Sequence, residues 1–155
     1  MRYAARTLAV ALVSAGATVG VALLSASRLA DAPIRGKLAG PDPLAALASL
    51  AALAIGLAAF LWLGVSIARE ARTARPAIVA GALGGTLTGL AGGVAQSFAL
   101  SEYLGALLAG YAVPPEFLTV ALGAYVVIAT AGAAAVGGAI TYAAWHRARR
   151  DLASR

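Results

Sequence analysis

Few residues in this chain could do chemistry. The pattern nearest to a catalytic one is "GVSIA" at 64–68, a Gly-x-Ser arrangement, with the single histidine, His146, far along the chain. A nucleophilic serine of that kind needs a strained strand-to-helix turn and a base within hydrogen-bond reach. Ser66 instead sits inside an uninterrupted apolar run, where a serine bonds its own backbone carbonyl one turn back. His146 stands beside "RARR" with no second histidine, no cysteine and no inward carboxylate, so it cannot build a metal site. At a helix end it caps the C-terminus and complements the dipole. The absence of cysteine excludes thiol chemistry, disulfides and Cys-ligated metal. The reading is a protein that is not an enzyme and uses no cofactor or metal.

The remaining polar groups lie inside long apolar runs. Transporters and proton-coupled pumps carry ionisable residues within a span, because such residues are costly in lipid and are kept for an ion or substrate. None occurs here. Gln96 is the most polar intramembrane group, followed by Ser97, and an interhelical hydrogen bond worth about 0.6 kcal/mol is its expected role. Gln96 and Thr130, with the outer loop, are the candidates for a polar lining of any solute path.

Glycine is the other conspicuous residue. In "GALGGTLTGLAGG" it falls at Gly81, Gly85, Gly89 and Gly93, and positions 77, 81, 85, 89, 93 and 97 read Ala, Gly, Gly, Gly, Gly, Ser. Residues four apart are offset by only about 40° on a helix of 3.6 residues per turn, so these positions form one shallow groove ending at Ser97. Gly84, Thr88 and Gly92 widen its flank, while Leu83, Leu87 and Leu90 point away. The array resembles the glycine zipper, a packing motif of membrane helices that identifies no family. Without a strand, a lysine or a charged ligand nearby it is not a phosphate loop. The small residues of "TAGAAAVGGAITYAA" at 130–144 make the fourth helix the nearest partner, and Gly16 with Gly20 offers a second GxxxG pair. Packing within the chain is the favoured expectation, with a second subunit as the alternative.

The elements that carry these residues are set by hydropathy. Of 155 residues 61% are hydrophobic, and the mean hydropathy is +0.87. A soluble domain holds roughly 45–50% apolar residues, and a hydrocarbon core about 30 Å thick takes roughly 20 apolar residues to cross as a helix. Four runs meet that length without an Asp, Glu, Lys or Arg: 7–27, 44–68, 77–100 and 117–145. Proline marks three of the starts. Asp42 stands as an N-cap before Pro43, and Pro76 and Pro115 take the first helical position, with Glu116 in the first turn. The first run has the outline of an export signal, with "MRYAAR" before it and "SAS" or "ADA" after it. It exceeds the 7–15 residues of a signal's apolar region, and cleavage after Ala32 would abut Pro33, so it is read as a retained span.

Basic residues orient the spans. With both termini inside, Arg2, Arg6, Arg69, Arg72, Arg75, Arg147, Arg149, Arg150 and Arg155 are cytoplasmic, and only Arg28, Arg35 and Lys37 lie outside. Tyr3, Trp62, Tyr142 and Trp145 fall near inner ends, and Phe98, Tyr103, Tyr111 and Phe117 near outer ends, as interfacial aromatics do. The net charge of +6 follows from this topology and from attraction to anionic lipid, so nucleic acid is not invoked. The outer segment "SEYLGALLAGYAVPPE" has three readings: a short interfacial helix, an extension of the third helix, or a re-entrant segment. Arginine supplies eleven of the twelve basic residues and Ala and Gly abound, the composition of a bacterial genome rich in G and C.

The expectation is therefore an all-α integral membrane protein, one domain over 1–155. Four transmembrane helices form an antiparallel bundle in the cytoplasmic (inner) membrane, crossing it several times, with both termini cytoplasmic. The leading functional reading is a small non-enzymatic protein acting through helix packing, as an accessory or assembly subunit or a homo-oligomer. In layout, with small size, a few apolar helices and the charged tail "HRARRDLASR", the chain resembles phage holins, a resemblance that implies pore or lesion formation. A carrier of a lipid or another hydrophobic solute is the third reading. The expected partners are the lipid bilayer and either a second copy or another membrane protein.

Overall fold

The computed structural model describes residues 3–30, 42–111 and 114–154. Arg2, Asp31, Pro33, Arg35, Lys37 and Arg155 lie outside the described residues, so the expectations about the first loop and its charges do too. The described residues form four helices: α1 (Ala4–Ala30), α2 (Pro43–Ala68), α3 (Arg75–Ala109) and α4 (Pro115–Ala153). All four are long and apolar enough to cross a membrane.

The starts follow local chemistry. The Asp42 carboxylate accepts the Leu44 N–H at 2.9 Å, and Pro43 opens α2. Pro115 likewise opens α4, with Glu116 in the first turn. Pro76 falls one residue inside α3, which begins at Arg75 behind Ala74, a residue without a side-chain cap. Two helices outrun their apolar segments. Nothing in "SEYLGALLA" stops a helix, so α3 continues as one element to Ala109 and takes up most of the outer segment. Similarly α4 runs through "HRARRDLA", whose Arg, Leu and Ala are good helix formers. Its 39 residues would extend about 58 Å at ~1.5 Å each, well beyond the roughly 30 Å of hydrocarbon. His146 therefore does not cap the C-terminus; it lies within the helix, stacked on Tyr142 with ring centroids 5.9 Å apart.

Each helix packs on two neighbours. α3 lies against α4 and α1, and α2 lies against α4 and α1, while α2 and α3 barely meet. The tightest part is at one end. There Leu63, Ile67 and Ala68 of α2 are sealed from solvent against Val10, Ala77, Ala80 and Trp145. Trp145 Nε1 donates to the Ala71 carbonyl at 3.3 Å, and Thr141 Oγ1 donates to the Phe60 carbonyl at 3.5 Å. Arg6 pairs with Glu70 at 2.7 Å, both side chains partly exposed, a contact worth about 0–1 kcal/mol. These contacts gather Arg6, Arg69, Arg72, Arg75, Arg147, Arg149 and Arg150 at the same end of the molecule.

Glycine sets how closely the helices approach. A Cβ added at Gly81 would lie 2.7 Å from Thr141 Cβ, at Gly85 2.9 Å from Ala134 Cα, and at Gly89 2.7 Å from the Ala129 carbonyl. At Gly93 the gap widens to 3.3 Å from Val126 Cα. As the numbers rise along α3 those of its α4 partners fall. The opposite flank of α3 is also occupied: a Cβ at Gly84 would meet Phe60 at 3.1 Å, and one at Gly92 would meet Thr18 Oγ1 at 2.9 Å. Leu83, Leu87 and Leu90 are exposed, as their register requires.

Because the atoms facing Gly85 and Gly89 are largely backbone, neither site can yield by turning a side chain. Gly85→Leu and Gly89→Leu should each cost at least about 3 kcal/mol. Ala51→Leu, on an exposed position of α2, should cost less than about 0.5 kcal/mol. Unfolding in detergent followed by circular dichroism measures the contrast, and equal tolerance of all three would refute the packing account.

Candidate functional site

The helices do not stay close along their whole length. Near the tight end α2 is fixed to α4, since a Cβ at Gly64 would stand 2.7 Å from Ala144 Cβ. Eight residues earlier, at Gly56, the nearest neighbouring atom is Ser14 Oγ at 3.9 Å. Over the first part of α2, Ala52 is the one buried residue before Phe60. In α4 the buried residues begin at Gly137. α2 thus stands away from its neighbours toward the other end, while α4 stays against α3, and a cleft of about 500 Å³ is left among all four. That lies within the roughly 300–1,000 Å³ of small-molecule sites.

The wall is apolar with a few neutral polar groups. α1 contributes Ser14 and Thr18, α2 Ser49 and Gly56, α3 Thr88 and Gln96, and α4 Tyr125 and Ile140, with Phe60 and Gly137 deeper in. Among the described residues no charged side chain lines it. Leu53, Leu57 and Val136 line the cleft and are also exposed on the outside of the bundle, so the opening faces sideways, where lipid would be.

Most of the hydroxyls on this wall are already used. Thr18 Oγ1 donates to the Ala15 carbonyl at 2.9 Å, Ser49 Oγ to Ala45 at 2.8 Å, and Thr88 Oγ1 to Gly84 at 2.9 Å. Ser14 differs: it is 2% exposed and its Oγ has no hydrogen-bond partner. A serine in a helix ordinarily satisfies itself on the preceding turn. An unpaired buried hydroxyl costs about 1–3 kcal/mol, so Ser14 is the most conspicuous polar group of the cleft.

The residues singled out by the sequence distribute unevenly. Gly85, Gly89 and Gly93 both meet α4 and border the cleft, whereas Gly81 meets α4 only. Gln96 borders the cleft, and no interhelical hydrogen bond is formed by it among the described residues. Thr130 is off the cleft, donating to the Val126 carbonyl at 2.7 Å, with its Cα pressed toward Gly89. Ser97 is half-buried, its Oγ unpartnered and away from the cleft. Gly16 and Gly20 are exposed, and a Cβ at either would meet nothing within 4 Å, so the structure brings neither to a helix contact. Ser66 Oγ donates to the Leu63 carbonyl at 2.8 Å.

Ser14, Thr18, Ser49 and Tyr125 were not anticipated. Ser14 and Thr18 share one face of α1 by their spacing of four, which is a signal in principle. Serine and threonine are common in membrane helices, however, and only the packing shows which hydroxyl lacks a partner. Compared with family models, curated proteins and solved structures, the chain matches none.

Removing a hydroxyl that bonds nothing should not harm the empty protein. Ser14→Ala should leave stability within about 0.5 kcal/mol of wild type or raise it, read from the detergent melting curve. A loss beyond about 1 kcal/mol would mean that Ser14 Oγ has a structural partner after all.

Proposed function

We propose that this protein binds a hydrophobic molecule between its spans, as a non-enzymatic carrier or holder of a lipid-like solute. The apolar cleft carries this reading. A bundle serving only as scaffold gains by closing such a space, because helices in lipid associate mainly through contact. Here the glycine face of α3 that could have served a partner is occupied by α4 of the same chain. The four helices run antiparallel in sequence through the inner membrane. Both termini are cytoplasmic, an orientation supported by the basic end formed by Arg6, the 69–75 turn and the tail of α4.

A second reading has its own observation. Gly16 and Gly20 are exposed on α1 at GxxxG spacing, a surface that suits close approach of another helix. It supports an accessory subunit or homo-oligomer joined through α1. Native mass measurement separates the two, since assembly through α1 predicts a complex larger than one chain that Gly16→Leu disrupts. The holin-like reading predicts collapse of the membrane potential on expression.

The carrier reading predicts an apolar molecule co-purifying from gentle detergent, up to one per chain. Gly56→Leu should displace it, because Gly56 has room for a side chain and that side chain enters the cleft. Melting in the absence of the molecule should be unchanged or improved, as leucine favours the helix by roughly 0.5–1 kcal/mol over glycine. Native mass spectrometry with solvent extraction reads the occupancy. Equal loading of wild type and Gly56→Leu would refute the site.

A further inference from the structure

We infer that the occupant of the cleft is a neutral, single-chain amphiphile whose oxygen-bearing head is taken by Gln96 and Ser14; the inference rests on the binding reading above. The first argument is charge. Among the described residues no Asp, Glu, Lys, Arg or His borders the cleft, so a phosphate, ammonium or carboxylate held against this wall would be desolvated without a counter-charge from it. A head of hydroxyls and carbonyl or ester oxygens meets no such penalty.

The second argument is the supply of donors. Thr18, Ser49 and Thr88 spend their hydroxyl protons on their own helices, leaving only lone pairs. Ser14 retains a free O–H, nine-tenths buried or more and facing the gap at Gly56. Gln96, at the level beyond Gly92, carries two N–H donors and an acceptor, and Tyr125 of α4 adds a phenolic O–H to the same wall. The levels of Ser14 and Gln96 follow from packing. Gly84 lies near Thr7 and Gly92 against Thr18, so α1 and α3 rise together. Ser14 is one turn before Thr18, and Gln96 one turn beyond Gly92. The two groups are thus about 12 Å apart along the axis at the backbone, less whatever their side chains reach. An amphiphile with oxygens at two depths matches this, its hydroxyls at Gln96 and an acceptor oxygen at Ser14. The tail then runs toward Phe60 and Ile140.

The third argument is size. A stretch of helix about 10 Å across and 15 Å long fills on the order of 1,200 Å³, so the cleft cannot admit a partner helix. If a methylene takes about the 30 Å³ of a liquid water, the cleft of about 500 Å³ is of the order of one acyl chain. A second acyl chain would have to lie outside it, in the bilayer. Entry is lateral, between α2 and α4 at Leu53, Leu57 and Val136, which are open to the bilayer.

The test is titration of the full-length, delipidated protein in detergent with monoolein, oleoyl-lysophosphatidylglycerol and dioleoylphosphatidylcholine, with adducts counted by native mass spectrometry. The expected result is one monoolein per chain, with the other two bound at least about tenfold more weakly. Ser14→Ala and Gln96→Met should each weaken monoolein about fivefold or more without lowering the melting temperature of the empty protein. Ser101→Ala, outside the cleft, should bind as wild type. Where one variant fails to fold, the other carries the comparison. Comparable binding of the anionic lyso-lipid, or full affinity in both variants, overturns the head-group assignment while leaving an apolar site that Gly56→Leu still empties. Failure of wild type to bind any of the three overturns the binding reading as well.

Discussion

The structure depends on how closely α3 and α4 can approach. In lipid the hydrophobic effect gives helices no reason to prefer each other over acyl chains, so association rests on dispersion contacts, hydrogen bonds and lipid release. Dispersion falls steeply with separation, and at Gly81, Gly85 and Gly89 even one added carbon would overlap the backbone or Cβ atoms of α4. The opposite flank of α3, at Gly84 and Gly92, receives Phe60 and Thr18. One helix thereby holds two neighbours, and the others are placed by where they can touch that pair.

The cleft follows from where close approach ends. α2 carries two glycines, and Gly64 alone is pressed against a neighbour. Around it Thr141, Trp145 and the sealed side chains of Leu63 and Ile67 hold α2 at one end. Toward the other end it offers Leu44, Leu47, Leu50 and Leu53 on exposed positions, which gain nothing from the bundle that lipid does not also give. α3 and α4 keep in contact in that direction, with slightly more room at Gly93 than at Gly89. The molecule is therefore clamped at its basic end and open at the opposite end, with Ser14 of α1 facing Gly56 of α2 and its hydroxyl unpaired.

Much of the fold was legible in the sequence because the governing signals are local. Uncharged runs of sufficient length gave the four helices, and Asp42–Pro43 and Pro115 marked two starts that the structure keeps. The ends were less legible: hydropathy registers the lipid boundary, whereas α3 and α4 continue into polar sequence that has no reason to unwind. The four-residue spacing of Gly81 to Gly93 falls on a contact face, whereas the same spacing at Gly16 and Gly20 meets no neighbour within the chain, since a small residue permits close approach without supplying the neighbour. The cleft was not legible. It is a property of four helices at once, and Gln96 drew attention only because it is polar, while Ser14 stands out only once its lack of a partner is known.

The same reasoning bears on why an open end would be kept in so small a protein. Closing the cleft needs no new fold: alanine or leucine at Gly56 and alanine at Ser14 would fill space and remove an unpaired hydroxyl, changes that favour the empty bundle. The unpaired hydroxyl and the unfilled space thus lie side by side, on α1 and α2, and both are unfavourable until something enters. A molecule that supplies an acceptor to Ser14 and apolar surface beside Gly56 offsets both at once. That coincidence distinguishes the cleft from the loose packing expected wherever lipid can fill a gap.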